Sequence, residues 1–300
     1  MRPDEGKGWA AAGVTIVLWA SAFPAIRAAV EDLDVGHLTV ARLLVASLVL
    51  LVAVPFVRLR VPARRDLPWL LLAGTCGMAG YQLLLNAGEV TVSAGAASLL
   101  VNTAPVFTAL LAVRLLGERL TARAWSGIAL GFAGATLLAL TQGEGISVSA
   151  GALLVLAAAL ALASFFILQK QLVGHLSAFE VTAYATWLST LTVLPLAIGL
   201  PGALRDTDAE VLAAVLFLGA GSSALGFFTW AYATSRLDVG KAASSLYLVP
   251  AVAIVVAWIW LEELPGLTAL VGGCIALAGV IVTNASRRAA AAPAEAAASQ

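Results

Sequence analysis

Ten runs of mostly apolar residues divide the chain, at 9–29, 37–57, 68–86, 92–115, 123–141, 150–172, 179–200, 211–234, 241–261 and 266–284. A helix needs about 20 such residues to cross the hydrocarbon layer, so the pattern predicts ten membrane-spanning helices. Short polar connections containing Gly, Pro, Asp or Arg separate the runs. The first run follows Arg2 and Lys7, as the apolar part of a signal peptide would. Its extent, Trp9 to Ala29, exceeds the usual 7–15 residues of that region, and no small-residue cleavage site stands out. It is read as the first span. Beyond Arg288 the chain is Ala-rich, holds Pro293 and has no amphipathic pattern, so 287–300 is predicted to be a disordered tail.

Composition agrees with a lipid solvent. Of 300 residues 61% are hydrophobic and 11% charged, with a mean hydropathy of +0.97. A soluble domain carries about 25% charged residues. The fold class expected is all-α integral membrane. A net charge of zero lacks the basic stripe that a nucleic-acid partner requires. Cys76 and Cys274 both sit in apolar runs, which suggests neither a disulfide framework nor a metal site.

Charge then orients the spans. Lys and Arg concentrate in cytoplasmic loops. With the N-terminus inside, fourteen of the seventeen fall on inner segments, while Arg27 and Arg205 lie at outer ends and Arg42 within a span. Acids (Glu31, Asp32, Asp34, Glu89, Glu144, Glu262 and Glu263) fall in outer loops. Both termini are therefore expected to be cytoplasmic, in a multi-pass membrane protein.

The chain also repeats itself. At an offset of 145 residues Gly74 meets Gly219, Gly95 meets Gly240, Pro105 meets Pro250, Glu118 meets Glu263, Gly127 meets Gly272 and Gly134 meets Gly279. Five spans per half is an odd number, so residues 146–286 would enter the membrane upside down relative to 1–145. Arg114, Arg119 and Arg123 flank Glu118 but have no counterpart around Glu263, because they belong to the cytoplasmic face rather than to the repeat. Two inverted five-helix repeats are the architecture of many secondary transporters.

The blocks that carry the repeat resemble a known family. VLWASAFPAIRAA (17–29), TVARLLVA (39–46), the glycine-, proline- and glutamate-marked stretch 92–139 and its second copy 239–282 are similar to the EamA family of the drug/metabolite transporter superfamily. The resemblance covers nearly the whole chain. It departs at 163–175, where no Trp or Pro answers Trp19 and Pro24. It implies export of amino acids, aromatic or otherwise neutral, or of related small metabolites, across a bacterial inner membrane, with multidrug export as the alternative.

Helical spacing selects candidate substrate-binding residues. Span 1 offers Trp19, Ser21 and Phe23; span 3 offers Tyr81, Gln82 and Asn86, in register with Glu89; span 4 offers Ser98 and Asn102. Span 6 offers Ser164 and Gln169, span 8 Trp230, span 9 Ser244 and Tyr247. Trp19, Tyr81, Asn102, Trp230 and Tyr247 are expected to line one pocket. A serine in a span often bonds its own helix instead. For Asn102, cavity lining and interhelical hydrogen bonding are both open. Pro105 and Pro250 each remove a mid-helix hydrogen bond and are candidate hinges, simple kinking being the alternative. Arg42 reads as an anchor, snorkelling outward or paired with Glu31 or Glu89, or as a substrate ligand. The glycines of spans 5 and 10 read as scaffold. Glu118 and Glu263 read as structural contacts to exposed N–H groups of span 5 or 10.

No acid lies near the centre of a predicted span, so proton-driven efflux through a central carboxylate is disfavoured. Facilitated movement of a neutral solute fits better. His37 and His175 lie in loops, and no H-E-x-x-H or paired intramembrane Asp occurs, which speaks against an enzyme. A channel suits the inverted repeat less well than alternating access. The partners expected are a small solute and lipid, with no cofactor and no metal, in a monomer or weak homodimer.

Overall fold

The computed structural model describes residues 3–57, 59–117, 120–140, 149–172, 176–237 and 245–298. Glu118, Glu144, His175, Gly240, Lys241 and Ser244 lie outside these. Ten helical spans follow one another: α1 (Pro3–Asp32), α2 (Val35–Ala53), α3 (Leu67–Glu89), α4 (Ala94–Leu115), α5 (Ala122–Leu140), α6 (Ala150–Leu172), α7 (Ala178–Val193), α8 (209–236), α9 (Leu246–Leu261) and α10 (Leu267–Ala298). Seven are long and apolar enough to cross a membrane unaided, and α7 joins them when counted with its bent continuation. That bend of 80° leads into a short helix, Leu200–Asp206, and turns at Gly199, whose φ of +85° suits a residue without a Cβ.

Polar caps set several starts. The Asp34 carboxylate accepts from the N–H of Gly36 at 2.7 Å and of His37 at 3.4 Å, opening α2. Ser93 accepts from Ala96 N–H at the start of α4. Ser177 and Glu180 form a reciprocal capping box on α7, satisfying two donors that a helix start leaves unpaired. At the far end, α10 runs as helix to Ala298, past Arg288, where a disordered tail was expected. Seven of the nine residues 289–297 are alanine, the strongest helix former.

The repeat is visible in the contacts. α5 and α10 pack antiparallel and so closely that a Cβ on Gly127, Gly134, Gly272 or Gly279 would strike the partner's backbone. Gly127 lies against Thr283, and its image under the 145-residue offset is Leu138 against Gly272. Gly134 against Ala276 likewise maps onto Gly279 against Gly131. Contacts that return to themselves when the halves are exchanged define a two-fold relation between equivalent, oppositely running helices. The ends agree. α1 starts beside the end of α8, with Gly8 on Leu237, whereas α6 starts beside the end of α3, with Gly151 on Gly88. The molecule is thus an all-helical membrane protein built from two inverted halves.

Irregularities repeat too. The backbone widens to π-helix at Ala73–Gly80 in α3 and at Phe217–Leu225 in α8, equivalent positions that periodicity alone does not reveal. Within them Gly74 admits the backbone of α7 at Ala185, and Gly219 that of α2 at Arg42. α4 breaks after Val101 and restarts at Ala104; α9 opens with one tight turn, Leu246–Leu248, before Val249. Pro105 and Pro250 therefore stand in the first turn of a new helical segment, not in mid-helix as the sequence predicts. At that position the absent N–H would have had no intrahelical partner. α1, by contrast, carries Pro24 inside an unbroken helix.

Candidate substrate site

The polar interior of the first half lies between α2 and α3. Gln82, Asn86 and Glu89 share one face of α3, as their spacing predicts, and all are buried, Asn86 and Glu89 completely. Thr39 and Arg42 meet them from α2. Arg42 Nη1 donates to Asn86 Oδ1 at 3.3 Å, Asn86 Nδ2 donates to Thr39 Oγ1 at 2.8 Å, and Thr39 donates to Val35 O at 2.7 Å. This relay runs one way and fixes both the Asn86 amide and the guanidinium. Arg42 is 3% exposed, so it does not snorkel, and among the described residues no acid lies within ion-pair distance of it. Its Nε, Gln82 Oε1 and both carboxylate oxygens of Glu89 have no hydrogen-bond partner among the described residues. Each such orphan costs about 1–3 kcal/mol, more when charged.

Glu89 corrects the sequence reading. It was expected in an outer loop, but α3 runs on to include it and packing buries it. A fully buried acid is therefore present within the bundle.

Above this pocket Arg27 ties three elements together. Its Nε donates to Glu263 Oε1 at 3.1 Å, and its Nη1 donates to the carbonyls of Glu89 and Val90 at 3.1 and 3.0 Å. Glu263 Oε2 also accepts from Ala94 N–H at 3.4 Å, at the start of α4. The sequence assigned Glu263 to exposed N–H groups of span 5 or 10. The contact is of that kind, but the helix is α4. The latch joins the first half to the α9–α10 connection.

An aromatic row occupies the interface of α1, α6 and α8. Trp19 meets Trp230 at 5.8 Å and Phe227 at 5.1 Å; Phe227 meets Phe165 at 6.2 Å, and Phe165 meets Phe166 at 6.0 Å. Trp19 Nε1 donates to Ser222 O at 3.2 Å in the π-helical stretch of α8. Phe165 packs on Gly77 of α3. Gln82 lies five residues further along α3, about 7.5 Å at 1.5 Å per residue.

The predicted residues thus do not form one wall. Trp19 and Trp230 come together in the aromatic row. Tyr81, Gln82 and Asn86 belong to the polar pocket, where Tyr81 lies within electrostatic reach of Arg42. Tyr247 packs instead with Val106, Ile128 and Val280 of α4, α5 and α10. Phe23 is buried in the main apolar core. Ser98 Oγ donates to Gly95 O, Ser164 Oγ to Leu160 O, and Asn102 Nδ2 to Ser98 O, all within their own helices. Asn102 closes the first segment of α4 at the break and is half-buried there. Ser21 and Gln169 are half-buried. Of the five residues expected to line one pocket, Trp19 and Trp230 meet in the aromatic row, whereas Tyr81, Asn102 and Tyr247 lie on other packing surfaces. Sequence reasoning placed Glu89 on the right face of α3 by its i, i+4, i+7 spacing from Gln82, and missed Phe227, which no spacing distinguishes.

Comparison with known proteins decides the class. The profile of the EamA-like transporter family matches residues 7–140 and again 149–285. The chain belongs to the EamA-like transporter family. A "Probable terminal-alkyne amino-acid exporter" of Streptantibioticus cattleyicolor is 43% identical over 271 residues, 90% of this chain and 91% of its own. A "Probable amino-acid metabolite efflux pump" of Salmonella typhimurium is 29% identical, over 90% of this chain and 92% of its own. A solved crystal structure superposes on 94% of this chain and 98% of its own with a TM-score of 0.64 at 20% identity, a likeness of fold alone. As an EamA-like transporter the protein moves small solutes across a membrane and is not an enzyme.

Proposed function

We propose that this EamA-like transporter is a secondary carrier that exports amino acids with neutral, apolar side chains across the inner membrane by alternating access, with both termini cytoplasmic. The observation that carries this reading is the self-mapping contact between α5 and α10. Two halves of one shape and opposite polarity can exchange conformations, which opens a central site first to one side and then to the other. In this reading the Arg27–Glu263 latch closes the outer end, and Pro105 and Pro250 sit where α4 and α9 flex. The chamber is lined by Tyr81, Gln82 and Asn86 on the polar side and by Trp19 and Trp230 on the aromatic side. Ser21, Ser98, Asn102, Ser164, Gln169, Ser244 and Tyr247 are retained as residues reached during the cycle. The relatives' printed names, both of amino-acid efflux proteins, support the substrate class.

Counterflow in proteoliposomes tests the reading. Labelled L-phenylalanine or L-leucine is expected to enter saturably and faster when unlabelled amino acid is preloaded. Ohmic current, or no exchange of any neutral amino acid, overturns it. Orientation is tested separately by placing cysteines at 118 and 263 in a protein whose Cys76 and Cys274 are replaced. Impermeant label is expected to reach 263 from outside and 118 from inside; labelling of both from one side overturns the inverted arrangement.

A further inference from the structure

We propose that the α2–α3 pocket is a dipolar head-group site, in which Arg42 takes the carboxylate of an α-amino acid while Glu89 and Gln82 take its ammonium. The inference rests on the amino-acid-carrier reading and locates its specificity.

The unmet hydrogen-bonding capacity of the pocket is the first argument. The orphaned atoms are one donor, Arg42 Nε, and three acceptors, Gln82 Oε1 and the two Glu89 oxygens. An α-ammonium offers three N–H donors and an α-carboxylate offers acceptors, the complementary set. An anion or a cation alone would leave one buried charge uncompensated, which is costly. A zwitterion matches both.

The second argument is the separation of the charges. Arg42 and Glu89 are close enough to influence one another, yet they form no ion pair. Asn86 holds the guanidinium through Nη1, and Thr39 holds Asn86. The backbone of Glu89 is fixed from the other side by Arg27, which caps its carbonyl. Tethered apart in this way, the two charges are organised for a guest before it arrives. The aromatic row reaches α3 at Gly77, one to two turns from Gln82, which places apolar surface where the side chain of a head-bound amino acid would extend.

The test is competition against labelled L-phenylalanine and L-leucine exchange in proteoliposomes, with the N-acetyl derivatives (no ammonium) and the α-amides (no carboxylate) as competitors. On the unaltered protein each derivative is expected to compete about 10- to 100-fold less well than the parent, the scale of a buried polar group left unsatisfied. Glu89→Gln is expected to erase the preference over the N-acetyl derivative and keep the preference over the amide. Arg42→Lys, which keeps the charge but removes Nε, is expected to weaken the second preference and keep the first. Derivatives that compete as well as the parents on the unaltered protein overturn the site, whether or not the variants insert. Variants that slow exchange but leave both preferences intact also overturn it, because a merely structural charge moves all substrates together. Amino-acid exchange without head-group preference sinks the site alone. Absence of any amino-acid exchange sinks the carrier reading, and this site with it.

Discussion

The two halves place the same pair of helices to different ends. Between α2 and α3 stand Thr39, Arg42, Gln82, Asn86 and Glu89; at the equivalent positions between α7 and α8 stand Tyr184, Trp187, Phe227, Ala231 and Thr234. Backbone geometry is shared, down to the π-helical stretches and the glycines inside them. The side-chain chemistry is not. One copy holds buried charge on a hydrogen-bonded relay. In the other, Tyr184 and Trp187 meet edge-on at 5.5 Å, and Trp187 Nε1 donates across to Ser47 O at 3.2 Å. A carrier made of two identical halves would present a symmetric chamber. This one sets buried polar side chains in one half against aromatic ones in the other, the division that the proposed solute, with a charged head and an apolar tail, would require.

Forcing the walls to match should do the most damage. Trp187→Arg puts a guanidinium at the position equivalent to Arg42, but position 231 offers alanine where Arg42 finds Asn86. Trp187 is half-buried, and a charge desolvated there without a partner is destabilising, so the variant is expected to accumulate poorly and to melt below the parent. Size-exclusion fluorescence and thermal unfolding in detergent read this directly. Normal melting would mean that the second wall is wet and the comparison misdrawn.

Asn86→Leu removes the relay while keeping the volume. It strands Arg42 Nη1, while the Thr39 hydroxyl keeps its bond to Val35 O, and a hydrogen bond to a charged group is worth about 1.5–3 kcal/mol. Transport is expected to fall about tenfold to a hundredfold by the same energy, with the protein still inserted. Unchanged counterflow would remove the polar wall from the mechanism. On the aromatic wall the expected effect is smaller. Phe227→Leu deletes the edge-on contacts to Trp19 and Phe165, each worth about 0.5–1.5 kcal/mol. Preference for phenylalanine over leucine should drop several-fold, while discrimination against N-acetyl derivatives stays. Loss of both preferences together would show that the walls do not divide the work.

The architecture was legible because lipid makes simple demands. Spans need about 20 apolar residues, and the matched Gly, Pro and Glu positions are identities that Ala/Leu-rich composition does not produce by accident. The site was less so. Glu89 was given the right face and the wrong surroundings, because the predicted span ended three residues early: the apolar run thins after Asn86, whereas the helix continues to Glu89. Asn102 was read by its chemistry, but a local partner, Ser98 O, lies one turn away and satisfies it. Pro105 and Pro250 were correctly paired and wrongly placed, because a proline in an apolar run looks alike in the middle of a helix and at the start of its second segment. The π-helical stretches left no trace in periodicity, since their extra residue per turn is absorbed where every face is apolar.

The subtlest asymmetry lies in the backbone. α4 ends on Gly117, with φ +67°, and α9 ends at the equivalent position on Glu262, with φ +55°, the one positive-φ residue other than glycine among those described. Both cap N–H groups donate to equivalent carbonyls, Ala112 and Ala257, so the cap itself is the same in the two halves. Left-handed backbone costs a residue with a Cβ about 1–2 kcal/mol, part of which glycine returns through its freer unfolded chain. Glu262→Gly is therefore expected to raise thermal stability slightly, by about 0.5–1 kcal/mol, and Gly117→Ala to lower it by a similar amount. The next residue, Glu263, holds the latch to Arg27 and Ala94, which gives the comparison its use. If the strain at 262 is only an accident of the repeat, Glu262→Gly stabilises the protein and leaves counterflow unchanged, and that is the expected outcome, because the latch is fixed from the Arg27 side by two carbonyls as well as by the glutamate. A stabilised variant with slowed exchange would instead mean that the strained turn loads the latch for release, and that the second half supplies the spring as well as the aromatic wall.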